Sequence, residues 1–120
     1  MKGGKSKIYS NILQELKGVE GVKMLALESR DGFLIGEYPS EDKEMLALMS
    51  ATMLRAAEAV INKLEKVSPN CVIVDFNGGK LITAAAGSKA LVSVMAAQDA
   101  CLDPIISELE RTAEKIKEIL

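Results

Sequence analysis

Apolar residues recur along this chain with two periods, and the points where one gives way to the other mark its elements. Ile8, Ile12, Leu13 and Leu16 return at helical spacing, so residues 5–17 read as a helix, with Gly18 where a C-terminal glycine belongs. Residues 22–28 read as a strand. Ser29-Arg30-Asp31-Gly32 closes it with a turn whose Asp-Gly accepts positive φ, and residues 33–38 return as the second strand of a hairpin. Pro39-Ser40 breaks that strand, and Ser40 or Asp42 can cap the helix that follows.

That helix, residues 41–66, is the most informative segment. On a wheel of about 100° per residue, Met45, Leu46, Met49, Met53, Leu54, Ala56, Ala57, Val60, Ile61 and Leu64 sweep roughly half the circumference. Glu44, Arg55, Glu58, Asn62 and Glu65 take the other side, interrupted by Ala47, Leu48 and Ala51. A helix packed on one sheet needs an apolar arc of about 100°. The wider arc gives this helix two surfaces to touch, and in one small domain the second is most simply another copy of the same helix. Met45, Met49 and Met53 repeat by fours along one side. Core filling accounts for most such methionines, and their adaptability suits part of the row to a helix-to-helix contact.

Pro69 ends the helical run, and residues 70–76 form a nearly continuous apolar strand. Asn77-Gly78-Gly79 turns into a strand at 80–86, and Gly87-Ser88-Lys89 turns again into a strand at 90–97. Val72-Ile73-Val74, Leu81-Ile82 and Leu91-Val92 are apolar at successive positions, as in strands covered on both faces. The last helix starts at Asp103-Pro104, a good N-cap and N1 pair, and carries Ile105, Ile106, Leu109, Ala113, Ile116 and Leu120 along one stripe. The predicted order is helix, two strands, helix, three strands, helix. This is an α+β domain over residues 1–120: a mainly antiparallel five-stranded sheet between helices, the long helix on one face and the other two on the opposite face.

Composition narrows the chemistry. The 120 residues suit one domain with its own core, and 48 % hydrophobic against 27 % charged residues is an ordinary globular balance. The chain has no histidine, which removes Ser-His-Asp and Cys-His nucleophile pairs and nearly all catalytic zinc sites. A net charge of −2 and 3 % aromatics argue against a nucleic-acid binder. Cys71 and Cys101 form no Cys-x-x-Cys pair and sit in apolar contexts, as small buried hydrophobes kept reduced. No apolar run follows the basic start and none is long enough to span a membrane, so the expected location is cytoplasmic.

Candidate motifs give way to structural readings. Gly4-Lys5-Ser6 has the end of a phosphate loop without its first glycine or preceding strand, and Gly78-Gly79-Lys80 is followed by Leu81 and explained by a hairpin. Glu41, Asp42 and Glu44 lie where negative charge offsets a helix dipole. Arg30, Arg55 and Arg111 are the candidates for a guanidinium acting on a phosphoryl group. A solvated turn accounts better for Arg30, and pairing with Glu108, Glu114 or Glu118 for Arg111. Asp75 either bonds across its hairpin to Asn77 or lies at a sheet edge between copies. No catalytic residue, metal site or cofactor is expected.

In its order and spacing the chain resembles the roadblock/dynein light chain domains. The resemblance covers nearly the whole chain. It rests on Leu13-x-x-Leu16 followed by Gly18-Val19-Glu20-Gly21-Val22, the strand ending in Arg30-Asp31-Gly32, and the Ala- and Met-rich middle helix. The Asn77-Gly78-Gly79 hairpin, the Leu91-Val92-Ser93-Val94 strand and the closing amphipathic helix complete it. It implies a profilin-like sheet and a homodimer that joins two middle helices and two third strands. The dimer interface would then hold Met45, Met49, Met53, Ala56 and Val60 of the helix with Val72 and Val74 of the strand. The implied role is a non-catalytic adaptor or regulator of a small Ras-like GTPase, by activating hydrolysis or by scaffolding. Leu48, Ala51, Arg55 and Glu58, flanking the helix pair, are the expected partner-docking stripe. A small-ligand sensor and a general protein-interaction scaffold are the alternatives.

Overall fold

The computed structural model describes residues 2–36 and 40–120, with side chains from residue 7 onward. Its elements are α1 (Lys2–Lys17), β1 (Val22–Ser29), α2 (Glu41–Glu65), β2 (Val72–Phe76), β3 (Gly79–Ala86), β4 (Ala90–Ala97) and α3 (Leu102–Ile119). The strands form one antiparallel sheet in the order β1-β4-β3-β2. Two successive hairpins build β2-β3-β4, and β1 closes on the outer side of β4, pairing Leu25 with Val94 and Leu27 with Val92. β1 and β2 are therefore the two edges.

The helices divide between the faces as the pattern requires. Leu13 and Leu16 of α1 and Ile105, Leu109 and Ile116 of α3 bury against Leu25, Leu27, Ile82, Val92 and Val94. Small residues at Ala84, Ala86, Ala90 and Ala96 let the helices approach this face closely. α2 alone covers the other face, through a much smaller apolar cluster of Ala51, Leu54 and Leu91 with Val72 and Ala85 packed on it. Ser40 Oγ accepts from Lys43 N at 3.2 Å and caps α2, and Lys66 ends it in the left-handed region at φ 61°.

Several expectations change in the folded chain. The described residues give four strands, and the segment expected as the second of five is reduced to a Glu28–Leu34 bridge beside β1. Gly32 makes its tight turn at φ 91°, where an added Cβ would lie 3.0 Å from Leu48 Cα. Gly36, at φ 66°, then turns the backbone out of the extended course after Ile35. Residues 37 and 38 of the expected strand lie outside the described residues.

α3 begins one residue before the expected Asp103-Pro104 pair, with Cys101 as an N-cap that makes no side-chain hydrogen bond. Cys101 is exposed rather than buried, because a helix-capping position faces solvent; both cysteines are free. β2 is the larger departure. Its apolar run predicts cover on both faces, yet Ile73, Val74 and Phe76 are exposed, because β2 is an edge strand with no described strand beyond it.

The stripe on α3 sets a direct test of the core. Leu109 is fully buried, whereas Ile119 near the helix end is 46 % exposed. In urea unfolding, Leu109→Ala is expected to cost about 2–5 kcal/mol, and Ile119→Ala less than about 1 kcal/mol.

Candidate functional site

Viewed from its docking on the sheet, α2 has a buried side and an opposite side that is still apolar. Leu46, Ala47, Ser50, Ala51 and Leu54 face inward. About half a turn away stand Met45 (57 % exposed), Met49 (45 %), Ala56 and Val60 (54 %), with Met53 half-buried at their margin. Removing side chains the size of Met45, Met49 and Val60 from water is worth about 1.5–3 kcal/mol each, so a helix presenting all three to solvent is incomplete as a surface.

The apolar area does not stop at the helix. Val72 packs beneath α2 with Ala51 and Leu54, and Val74 and Phe76 follow on the same face of β2 by strand alternation. β2 is an edge strand, so its outward N–H and C=O groups also face away from the sheet. The expected dimer residues Met45, Met49, Met53, Ala56, Val60 and Val74 thus lie on one open side of the molecule. Val72 lies at its base rather than on its surface. Asp75 is exposed and paired with Lys80 across the hairpin at 3.7 Å, not with Asn77.

The expected docking stripe is changed by the packing. Ala51 is buried against Leu54 and Leu91, since it falls on the sheet-facing side of α2, and offers nothing to a partner. Leu48 and Arg55 are exposed. Glu58 is drawn toward β1, where Arg30 Nη2 donates to its Oε2 at 2.6 Å. Arg30 is therefore not simply a solvated turn residue: its backbone N–H also bonds Lys89 O at 3.1 Å, which fixes the β1 turn. Gly32 presses on Leu48, and the adjacent Phe33 is 72 % exposed. On this flank the exposed side chains are Phe33, Leu48 and Arg55, beside the Arg30–Glu58 pair. Sequence reasoning missed Phe33 because an apolar residue after a turn reads as the start of a strand.

Beneath α2 lies a polar seam that the apolar strand pattern did not foretell. Glu28, Thr83 and Ser93 are fully buried. Ser93 Oγ donates to Glu28 Oε1 at 2.9 Å, which leaves Thr83 Oγ1 as donor to Ser93 Oγ at 3.0 Å. Strand alternation places all three on the α2 side: Ser93 two residues from Leu91, Glu28 directly across from Leu91, and Thr83 directly across from Ser93. Ser50 Oγ is buried on the facing side of the helix without a hydrogen-bond partner among the described residues. This face is thus specified by hydrogen bonds as much as by packing.

Little else carries chemistry. Among the described residues no group of three or more His, Cys, Asp or Glu side chains could hold a metal ion, and no helix is long and apolar enough to cross a membrane. Arg111 pairs with Glu108 at 3.4 Å. Burial raises the Cys71 thiol above its ordinary pKa, and the negative charge of Glu110 adds to the shift.

Comparison with known proteins agrees with this architecture. The family model described as Roadblock/LC7 domain matches residues 8–96. No curated protein sequence matches the chain. Among solved structures, an MglB with tetrameric arrangement is 20 % identical at a TM-score of 0.82, covering 95 % of this chain and 88 % of that one. The gliding protein MglB from Thermus thermophilus is 19 % identical at 0.81, covering 95 % and 89 %. A more distant likeness, 11 % identical at 0.59 and covering 95 % and 97 %, is to LokiProfilin1, solved in complex with rabbit actin. At these identities the likeness is one of fold, and it includes the profilin type.

Two measurements probe this site. Ser93→Ala removes the donor to a buried carboxylate and is expected to lower stability by about 1–3 kcal/mol in urea unfolding. The raised pKa of Cys71 leaves less thiolate near pH 8, so iodoacetamide should label exposed Cys101 first, as read by peptide mass mapping.

Proposed function

Because the chain belongs to the Roadblock/LC7 domain family, we propose that it is a non-catalytic homodimeric adaptor or regulator of a small Ras-like GTPase in the cytoplasm. The observation that carries this reading is the open apolar side formed by α2 and the β2 edge. Two copies related by a two-fold axis would set α2 against α2 through Met45, Met49, Ala56 and Val60. The same axis would add β2 to β2, so that one sheet runs through both copies and the exposed strand groups find partners. Val74 and Phe76 then leave solvent together with the methionines. An MglB of tetrameric arrangement lends support to self-association in this fold.

The GTPase docks across the helix pair, on the flank that carries Phe33, Leu48 and Arg55 with the Arg30–Glu58 pair. An aromatic and an arginine beside an aliphatic side chain are the residue types that dominate binding energy at protein interfaces. Regulation needs no catalytic group from this chain. Arg55 is free to reach a phosphoryl group or to orient the GTPase's own residues, whereas Arg30 is held by Glu58 and acts as a fixed edge of the surface.

Light scattering over a concentration series should give twice the 12.9 kDa chain mass, and Met49→Glu should give the monomer by burying a charge at the helix contact. A monomeric wild type would overturn the dimer. With the GTPases of the same genome loaded with GTP or GDP, the wild type should retain a GTP-loaded form preferentially. Phe33→Ala should weaken that retention about tenfold or more, while leaving the dimer mass unchanged.

A further inference from the structure

The hairpin turn after β2 fixes which of its backbone groups point outward. Asn77 and Gly78 form a two-residue turn between Phe76 and Gly79, which pair directly. The pair flanking such a turn exchanges both of its backbone hydrogen bonds, and bonded pairs then recur at every second residue. Phe76, Val74 and Val72 therefore direct their N–H and C=O groups to β3. Ile73 and Asp75, which alternate with them, direct theirs away from the sheet, where no described strand lies. Gly36 and Lys43, on either side of the undescribed residues 37–39, both stand by β1, at the opposite edge. The side chains divide in the same rhythm. Val72 packs under α2, whereas Cys71 packs on the α1 and α3 core, to which Ile82, opposite Ile73, also belongs. Ile73 and Asp75 thus lie on the α3 side, and Val74 and Phe76 on the α2 side.

These phases leave few ways for a second copy to add. A two-fold axis that keeps both α2 helices on one face runs perpendicular to the sheet and makes the two β2 strands antiparallel. Directly opposed residues must then share a face, and outward groups must meet outward groups. The axis therefore passes beside one residue of β2, and each choice sets a register. Beside Val72, the outward groups of Asp75 meet Pro69, which has no N–H to donate. Beside Ile73, Phe76 comes opposite Asn70, and Asp75 opposite Cys71, whose pKa is raised by burial and by the negative charge of Glu110. Beside Asp75, two carboxylates stand directly opposed. Beside Phe76, most of the strand faces the turn. Only an axis beside Val74 pairs the whole of β2, with Asp75 opposite Ile73 and Phe76 opposite Val72.

We infer that a second copy adds to β2 in this one register, with the two-fold axis beside Val74, and that Asp75 is the residue that excludes the neighbouring registers. The inference rests on the homodimer proposed above and fixes how its copies meet. Apolar side chains alone would not do so, because a slip of two residues keeps Val72, Val74 and Phe76 on the α2 side. A single carboxylate among them makes the slipped registers unequal. Lys80 of the same copy, 3.7 Å away, holds it on the α3 side. The α2 row agrees with this axis. Antiparallel helices centred beside Met53 set Met45 against Val60 and Met49 against Ala56 of the second copy. Ala51 and Leu54, on either side of that centre, pack over Val72 of β2.

The test uses the full chain carrying Cys71→Ser and Cys101→Ser, with one cysteine added at a time and mild oxidation by diamide. In the inferred register the two Val74 Cα atoms stand about 4.5 Å apart, within the roughly 4.4–6.8 Å that a disulfide spans, and the two Ile73 Cα atoms about 8 Å apart. Val74→Cys should therefore cross-link about tenfold more than Ile73→Cys. Asp75→Asn should raise the Ile73→Cys cross-link, and Asp75→Glu should not. An Asp75 that only steadied its own hairpin would leave the ratio of the two cross-links unchanged, which would overturn its assigned role. The unsubstituted chain gives an independent reading: in dimers mixed from carbon-13-labelled and unlabelled copies, isotope-filtered NMR should show a contact between the two Val74 Hα atoms. A monomer by light scattering overturns the dimer and the register together. A dimer that cross-links at Ile73 as readily as at Val74, or that lacks the Val74 contact between copies, overturns the register and leaves the dimer standing.

Discussion

A sheet must be covered on both faces, and here three helices of unequal reach have to do it. α1 and α3 share one face and build the main core, so that side is complete within the chain. α2 has the other face to itself and is held there by Ala51 and Leu54 on Leu91, by the Arg30–Glu58 pair and by its Ser40 cap. The half-buried pair is still partly screened by solvent, and the apolar cluster is small. Burial of α2 from its outer side would therefore do two things at once: shield the methionines and press the helix onto the sheet. That coupling is the physical reason for assigning stability and assembly to the same element.

The polar seam sharpens this point. A buried carboxylate is costly unless its hydrogen bonds are supplied, and Glu28 takes one from Ser93, which takes one from Thr83. The chain links three neighbouring strands, β1, β4 and β3, directly beneath α2. Hydrogen bonds of fixed direction hold these three strands in one register, and so fix the platform on which α2 rests. α2 itself is held on that platform by Ala51 and Leu54 and by the Arg30–Glu58 pair.

The sequence disclosed the helices and most of the strands because their side-chain periods follow from what each face must bury. It also disclosed the unusual breadth of the α2 arc, which is the root of the dimer reading. What it hid were effects of position rather than composition. Val72-Ile73-Val74 has the pattern of a covered strand, and only strand order shows β2 at an edge. Ala51 reads as an interruption of a polar face, yet small side chains are what permit close approach to a sheet. Glu28 looks like a strand-end charge, and its partner Ser93 lies 65 residues away. Phe33 and Arg30 acquire meaning only when the turn folds against α2, contacts that no local pattern encodes.

The two sheet edges end in contrast. At β2 the side chains are apolar, and the Asp75–Lys80 pair lies across the hairpin rather than along the open side. Water is a poor solvent for such an edge, and an identical apolar strand is a natural complement. At β1 a bulge and the lysines Lys7, Lys17 and Lys23 beside it make self-addition unfavourable, because a second copy would bring like charges together. The two edges of one sheet thus differ in chemistry: apolar at β2, where self-pairing is proposed, and lined by lysines at β1, where self-pairing is disfavoured.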